Sequence, residues 1–372
     1  MKLVVISNAP IIKKHDQRFA YSPYVKEMAV WAKYADEVAF CCPEWKNEKG
    51  LLISEIPFSV SKNFLLSDFN ITTIGGTFKA FFQIIYNCYI IFRAMFWADH
   101  IHLRCPGNVG LLGAVVQIFF PHKIKTAKYA GNWDPKAKQP LSYRLQKYIL
   151  SNTFLTRKMQ VLVYGTWEGS TKNIKPFFTA SYKESDKQSV LPRSLKGIVK
   201  MVFVGTLSSG KRPLYAIQLV EKLQKKGFSV QLSIFGEGEE RKTLEAYILN
   251  KKLSQSVILN GNQNAEVVQK NYQESHFVLL ASQSEGWPKV IAEGMFWGCV
   301  PLATAISCVP FMLDFGNRGV LLAVDLENDA KDIQDLIQQE QRFQKMSLNA
   351  IEWSREYTLD KFEQEIKLLL HA

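Results

Sequence analysis

Short apolar runs recur along the first half of the chain, at 2–7, 37–42, 100–104, 126–129 and 160–164. Between most of them lie longer stretches, at 24–34, 108–120 and 141–150, whose apolar positions return every three or four residues. The short runs predict buried strands and the periodic stretches predict helices, and their alternation predicts a parallel, doubly wound sheet. A polar stretch at 182–196, rich in Lys, Ser, Asp and Gln, breaks the rhythm and reads as a linker. A second series follows, with strands at 200–204, 229–235, 257–260, 277–280 and 300–303 and helices starting at Pro213, Glu239, Ala265 and Pro288. At 372 residues the chain exceeds what one core usually fills. Two Rossmann-like α/β domains are therefore expected, 1–185 and 186–350, followed by a terminal amphipathic helix within 351–372 that carries Trp353, Phe362, Ile366 and Leu369 on one stripe.

The segment 78–97 departs from the alternating pattern. It is rich in Phe, Ile and Tyr, yet Lys79 and Arg93 bracket an uncharged run too short to cross a bilayer comfortably. It reads either as a core helix or as an interfacial helix with its apolar face in lipid.

Composition narrows the class. With 47% hydrophobic and 22% charged residues the chain is an ordered globular protein. Its six cysteines, Cys41, Cys42, Cys88, Cys105, Cys299 and Cys308, show no CxxC spacing, which suits a reducing compartment. The first ten residues read as a buried strand and not as a secretory leader, so a cytoplasmic location is expected. The net charge of +12 is uneven: residues 1–200 hold 28 basic and 13 acidic side chains (+15), against 18 and 21 (−3) in 201–372. Within 101–200 the count is 17 to 4. Such a face predicts an anionic partner, and the aromatic-rich segment points to a membrane surface over residues 78–200, at the cytoplasmic face, rather than to nucleic acid.

In open α/β sheets ligands bind beyond the carboxyl ends of the strands, so the loops after Val204, Phe235, Asn260 and Leu280 are expected to share one rim. The richest of these loops reads Ser-Gln-Ser-Glu285-Gly286-Trp287-Pro288 and runs on to Glu293-Gly294. Pro288 suits a first helical position, whose free N–H groups and positive dipole end favour a diphosphate, and Gly286 permits close backbone approach. A carboxylate accepts two hydrogen bonds at once, so Glu285 and Glu293 can each clamp a vicinal diol, although one such glutamate alone would read as a complement to the helix dipole. Upstream, Gly205-Thr206-Leu207 leads through Gly210 to Lys211-Arg212-Pro213, a glycine turn and a cationic pair between strand and helix. This nearly matches a Walker A loop, but Arg212 replaces the magnesium-binding hydroxyl and neither neighbouring strand ends in a metal-binding aspartate. Gly236-Glu-Gly238 lacks the third glycine of a dinucleotide fingerprint and is equally compatible with a tight turn.

The string E-G-x-P-x4-E-G after an apolar strand resembles the E-x7-E signature of family 4 glycosyltransferases (glycosyl transferases group 1), over roughly 200–322. The resemblance implies a GT-B fold, two Rossmann-like doubly wound domains facing across a cleft. It implies a retaining hexosyltransferase in which a UDP- or GDP-sugar lies on the second domain and a glycan or lipid-linked acceptor on the first, plausible in bacterial surface-polysaccharide assembly. On this reading Glu285 and Lys211 are catalytic, and the donor is bound by Gly205, Thr206, Lys211, Arg212, Gly236, Gly261, Glu285, Gly286, Trp287, Pro288 and Glu293. No metal or other cofactor is expected, since no Asp-x-Asp occurs in the chain. Thr206 stands where relatives carry arginine, and Ala305 to Pro310 lacks the glycines that relatives carry before the proline. In the first half, Asp99-His-Ile-His102-Leu-Arg104 parallels the family's D-x-x-H-x-H with Arg104 at the last histidine, where it could neutralise the departing diphosphate. His102, by alternation along the strand, points into the core. Asn132 and Trp133 offer a polar and aromatic face for an acceptor sugar, or a turn with a packing tryptophan. The terminal helix is implied to brace the first domain. An epimerase or hydrolase on the same fold, and a non-catalytic sugar-nucleotide-binding scaffold, remain as alternatives.

Overall fold

The computed structural model describes residues 1–15, 17–68 and 74–371, excepting the side chains of 74–80 and 371. The side chains of Phe78 and Lys79, where the expected lipid-facing segment starts, thus lie outside the described residues. The chain forms two compact units, Met1–Phe177 with Glu363–Ala372, and Phe178–Phe362. The polar stretch at 182–196, expected as a linker, therefore lies within the second unit.

The first unit is built on a seven-stranded sheet. From one edge to the other its strands are Ile174–Phe177, Met159–Tyr164, Ile124–Tyr129, His100–Cys105, Lys2–Ile6, Glu37–Cys42 and Lys62–Leu65. All neighbours are parallel. The inner strands are buried on both faces, with Val4, Ile6, Ile101, Leu103, Ala127 and Val161 in one core, although His100–Cys105 and Ile124–Tyr129 also carry basic side chains. The two edge strands escape the sequence pattern because Lys62 and Asn63, or Lys175 and Pro176, interrupt any apolar run; proline is tolerated there because an edge N–H needs no partner. A small four-stranded sheet of Glu44–Trp45, Ile11–Lys14, Gln17–Tyr21 and Ile53–Glu55 was likewise not expected, its strands being short and each carrying charge.

Charge is buried in this unit. Glu27, on the Ser22–Ala32 helix, pairs with Arg104 and, at 2.9 Å, with Lys128, and Arg104 and Lys128 sit opposite one another on adjacent strands. Burial alone would raise the Glu27 carboxyl, but the two cations pull it down to about 2. Beside them the imidazoles of His100 and His102 share the Thr126 hydroxyl at 2.9 and 2.8 Å, and His102 lies on the Trp31 ring with centroids 4.1 Å apart. Burial pushes His100 down to about 4 and His102 well below the ordinary range. His102 points into the core, as strand alternation predicted, and neither ring is placed to exchange protons with solvent.

The second unit is a six-stranded parallel sheet in the order Val257–Leu259, Val230–Phe235, Val199–Val204, Phe277–Leu280, Val300–Thr304 and Val320–Leu322. Numbered along the chain this is 3-2-1-4-5-6, the doubly wound order. Its sense reverses between Val199–Val204 and Phe277–Leu280, so the crevice of the sheet opens between the loops that follow those strands.

Hydrogen bonding continues past the strand ends into the loops. Gly205 donates to the Phe235 carbonyl at 2.9 Å, Leu207 to that of Glu237 at 3.0 Å, Gly236 to that of Gly261 at 2.9 Å, and Gln283 to that of Gly210 at 2.8 Å. Backbones this close leave no room for side chains. A Cβ at Gly236 would stand 1.9 Å from the Gly205 carbonyl oxygen, and one at Gly238 would stand 2.4 Å from that of Leu207. The two glycines that read as a weak fingerprint are thus a packing requirement.

Two outcomes are expected. Glu27→Gln removes the carboxylate shared by two buried cations and should destabilise the first unit by about 3 kcal/mol in urea denaturation at neutral pH. Because the folded carboxyl is depressed, its contribution is complete above the unfolded value of 4.5 and is lost as the pH falls towards about 2, so the gap between variant and parent should close over that window. Gly236→Ala, which also meets a backbone φ of +137°, should destabilise the second unit by about 2 kcal/mol or more, whereas Gly210→Ala, whose Cβ would meet nothing within 4 Å, should not. Equal urea midpoints for these two alanine variants would contradict the loop packing.

Candidate functional site

At the crevice of the second sheet the loop after Val204 ends in Lys211 and Arg212. Arg212 adopts a left-handed backbone (φ +50°) just before the Pro213–Lys225 helix. Its guanidinium donates to the Ala281 carbonyl at 3.3 Å, which ties the loop to the strand end across the crevice. Lys211 reaches over the same gap and forms an ion pair with Glu285. A cation suited to phosphate and a carboxylate suited to sugar hydroxyls are therefore held together at the point where the strand order reverses.

The loop carrying Glu285 is clasped from its far side. Ser307 and Cys308 both donate to the Gly286 carbonyl, at 3.2 and 3.1 Å, and Thr304 donates to that of Ser282 at 2.7 Å. The segment from Ala305 to Pro310, which lacks the glycines expected before the proline, thus acts as a clamp on the glutamate loop. Burial pushes the Cys308 thiol up to about 12, so it serves as a neutral donor. Ser282 is fully buried, and among the described residues its hydroxyl has no hydrogen-bond partner.

Pro288 stands one residue earlier than expected, as the cap of the Lys289–Phe296 helix, and no side chain satisfies that helix end. Glu293 lies in the second turn. Its carboxylate accepts from Ser181 at 2.5 Å and from the Tyr272 hydroxyl at 3.3 Å, one on each oxygen. Burial, and then the neighbouring Glu293 charge, holds the Tyr272 phenol well above its ordinary range, so it remains a donor. Two fixed hydroxyls orient the carboxylate, and each oxygen keeps a lone pair for a further donor.

The remaining expected residues divide by exposure. Thr206 is exposed on its loop, and Gly205, Gly236 and Gly261 form the backbone ladder beneath it. Trp287 is 7% exposed and packs on Trp353 (ring centroids 6.0 Å apart), Tyr357 and Phe178, so it anchors the loop rather than offering a ring to solvent. In the first unit Trp133, 4% exposed, meets Tyr129 edge to face at 4.8 Å. The aromatic face expected at this turn is a packing surface, because the turn folds back over the end of its own strand. The Asn132 side chain accepts from the Asp134 N–H at 2.8 Å and is used within the turn.

Arg104 stands at the carboxyl end of its strand, as expected, but shares Glu27 with Lys128. The sequence reading missed both partners. Lys128 was visible as a lone cation inside the apolar run at 126–129, and Glu27 as an acid on the inward stripe of Tyr24, Met28 and Trp31. Either anomaly signals a buried pair.

Comparison with known proteins places this arrangement. Residues 186–353 match the model of the family described as glycosyl transferases group 1. An uncharacterized glycosyltransferase of Haemophilus influenzae is 30% identical over 171 residues, which is 45% of this chain and 47% of that protein. The chain spans less than half the length of the curated relatives it matches. Among solved structures, Anabaena HepE in complex with UDP and glucose superimposes with a TM-score of 0.66 at 14% identity, covering 100% of this chain and 99% of that one. WaaG, a glycosyltransferase involved in lipopolysaccharide biosynthesis, gives 0.63 at 12% identity, with 100% and 99% covered. Residues 186–353 are thus similar to the glycosyl transferases group 1, and the fold of the chain is the GT-B fold of two Rossmann-like units.

Proposed function

We propose that this protein is a retaining glycosyltransferase that moves a hexose-type sugar from a UDP- or GDP-sugar to a glycan or lipid-linked acceptor. The observation that carries the reading is the Lys211–Glu285 pair at the reversal point of the second sheet, with Glu293 eight residues on, in the second turn of the helix that follows. Around this pair the donor's parts find matching chemistry. The diphosphate meets Lys211, Arg212 and the uncapped Lys289–Phe296 helix end, the ribose hydroxyls meet Glu293, and the sugar hydroxyls meet Glu285. The base lies along the exposed backbone from Gly261 to Gln263.

In the reaction the bond between the anomeric carbon and the β-phosphate oxygen breaks while the acceptor oxygen bonds to the same face of that carbon. The acceptor's proton passes to the departing phosphate oxygen, giving a nucleoside diphosphate and a glycoside. Lys211 and Arg212 stabilise the charge that develops on the leaving group, which for fixed donors in a protected site contributes on the order of 3 kcal/mol each. The family relation and the lipopolysaccharide role of WaaG support an acceptor in bacterial surface-polysaccharide assembly, met at the cytoplasmic face of a membrane.

Calorimetric titration with UDP, GDP and ADP tests the donor site. One of the three should bind, and Lys211→Ala and Glu293→Ala should each weaken that binding by about tenfold or more, as expected for a lost charge-assisted contact. Absence of binding by all three nucleotides would refute the donor reading. Glu285→Gln should leave nucleotide binding within about threefold, the spread of one modest contact, while sugar transfer falls by about a hundredfold. Transfer at the parent rate in that variant would remove Glu285 from the mechanism, and release of free or epimerised sugar by the parent would identify a hydrolase or epimerase instead.

A further inference from the structure

From residue 81 onward the Ile74–Trp97 helix places apolar side chains on both faces. Against the sheet it buries Ile91, Ala94 and Met95 and, among them, the amide of Asn87, which is bonded to the backbone N–H and carbonyl of Ser67 at 2.8 and 2.9 Å. The solvent face carries Phe81, Ile85, Tyr89, Phe92 and Phe96 at steps of three or four residues, so they form a single stripe. Phe81 is 59% exposed and Phe96 is 72% exposed. Phe119, 69% exposed, extends the stripe from the turn after the Asn108–Val116 helix. That turn is bound to the helix end, because Phe120 packs on Phe92 (4.9 Å) and the Lys123 ammonium donates to the carbonyls of Met95 and Phe96 at 2.8 Å each. Contiguous exposed apolar surface of this extent marks an interaction site.

Charge identifies the occupant. Asp99 is the one acidic residue between Asp68 and Asp134, and it accepts from the Lys2 N–H at 2.7 Å; none occurs between Asp134 and Glu168. From the turn at Phe119 the chain runs through Lys123 and Ile124 directly into a groove of about 870 Å³ whose lining includes Arg157, Lys158 and Lys172. Arg157 lies over the exposed ring of Phe154 at 4.8 Å, so apolar and cationic groups alternate along this surface as well. Among the described residues no helix is long and apolar enough to cross a membrane. A second copy seated on the stripe by a twofold axis would bring like-charged grooves together.

We propose that this face docks on the surface of an anionic lipid bilayer, with the aromatic stripe entering the boundary between headgroups and acyl chains and the cations of the groove meeting lipid phosphates. The proposal rests on the sugar-transfer reading only for its purpose, which is to meet a membrane-held acceptor; its evidence lies wholly in the first unit.

The test is co-sedimentation of the full chain with vesicles of phosphatidylcholine alone and of phosphatidylcholine mixed with phosphatidylglycerol. The parent should bind the mixed vesicles at least about tenfold more tightly than the neutral ones. Tyr89→Ser with Phe96→Ser, and separately Arg157→Glu with Lys172→Glu, should each lower binding to the mixed vesicles by about tenfold or more, with thermal unfolding unchanged. Absence of parent binding to the mixed vesicles overturns the proposal, as does unchanged binding in the aromatic variant. Self-association of the parent in sedimentation equilibrium, abolished in the aromatic variant and without vesicle binding, overturns it in favour of a protein interface. Nucleotide titration of the same proteins reads the donor site separately, so a chain that binds vesicles and no nucleotide refutes the transfer reading and leaves this one standing.

Discussion

The close approach of backbone to backbone beyond the strand ends of the second sheet is the constraint on which the proposed donor site depends. Four loops continue the ladder of main-chain hydrogen bonds after the strands themselves have ended, and glycines at 236 and 238 are what let them do so. Side chains on such loops inherit the rigidity of the sheet. Lys211, Arg212 and Glu285 accordingly stand on backbone that is bonded in register, and the cation and carboxylate meet without long flexible excursions. Preorganisation of this kind is what turns a positive charge into a useful stabiliser of a departing phosphate.

The first unit solves a different electrostatic problem. Three charges of mixed sign are taken from water at the ends of two adjacent strands, and one carboxylate serves two cations. Such a cluster is a poor source of net stability, because desolvation opposes the attraction, but it is costly to break and so fixes its members in position. The position is the carboxyl end of the sheet, where α/β proteins bind ligands. The histidines next to it are spent on the core, where burial keeps them neutral against Thr126 and Trp31, so they are not placed for acid–base chemistry.

The long aromatic helix shows how polarity and burial can part company. Its inner face accommodates an asparagine because Ser67 bonds that amide at both its oxygen and its nitrogen, while its outer face leaves aromatic rings in water. An isolated helix with this sequence has no preferred side by hydrophobicity, and the choice was made by the partners that the sheet happened to offer.

The repeating patterns by themselves determined the two α/β units, the inner strands of both sheets and the loop that carries Glu285 and Glu293, because parallel strands buried on both faces must be apolar runs and a helix start must follow its loop. They also placed His102 in the core by simple alternation. Only the tertiary structure decided the edge strands, the small sheet at Ile11–Lys14 and its neighbours, and the pairing of Glu27 with Arg104 and Lys128. It also decided that Trp287 and Trp133 pack inward when each could as well have faced a sugar. The physical reason is common to all of these: periodicity reports how a segment meets one neighbour, whereas edge pairing, charge pairing and the direction of a lone tryptophan depend on groups far away in sequence, whose arrival no local pattern encodes.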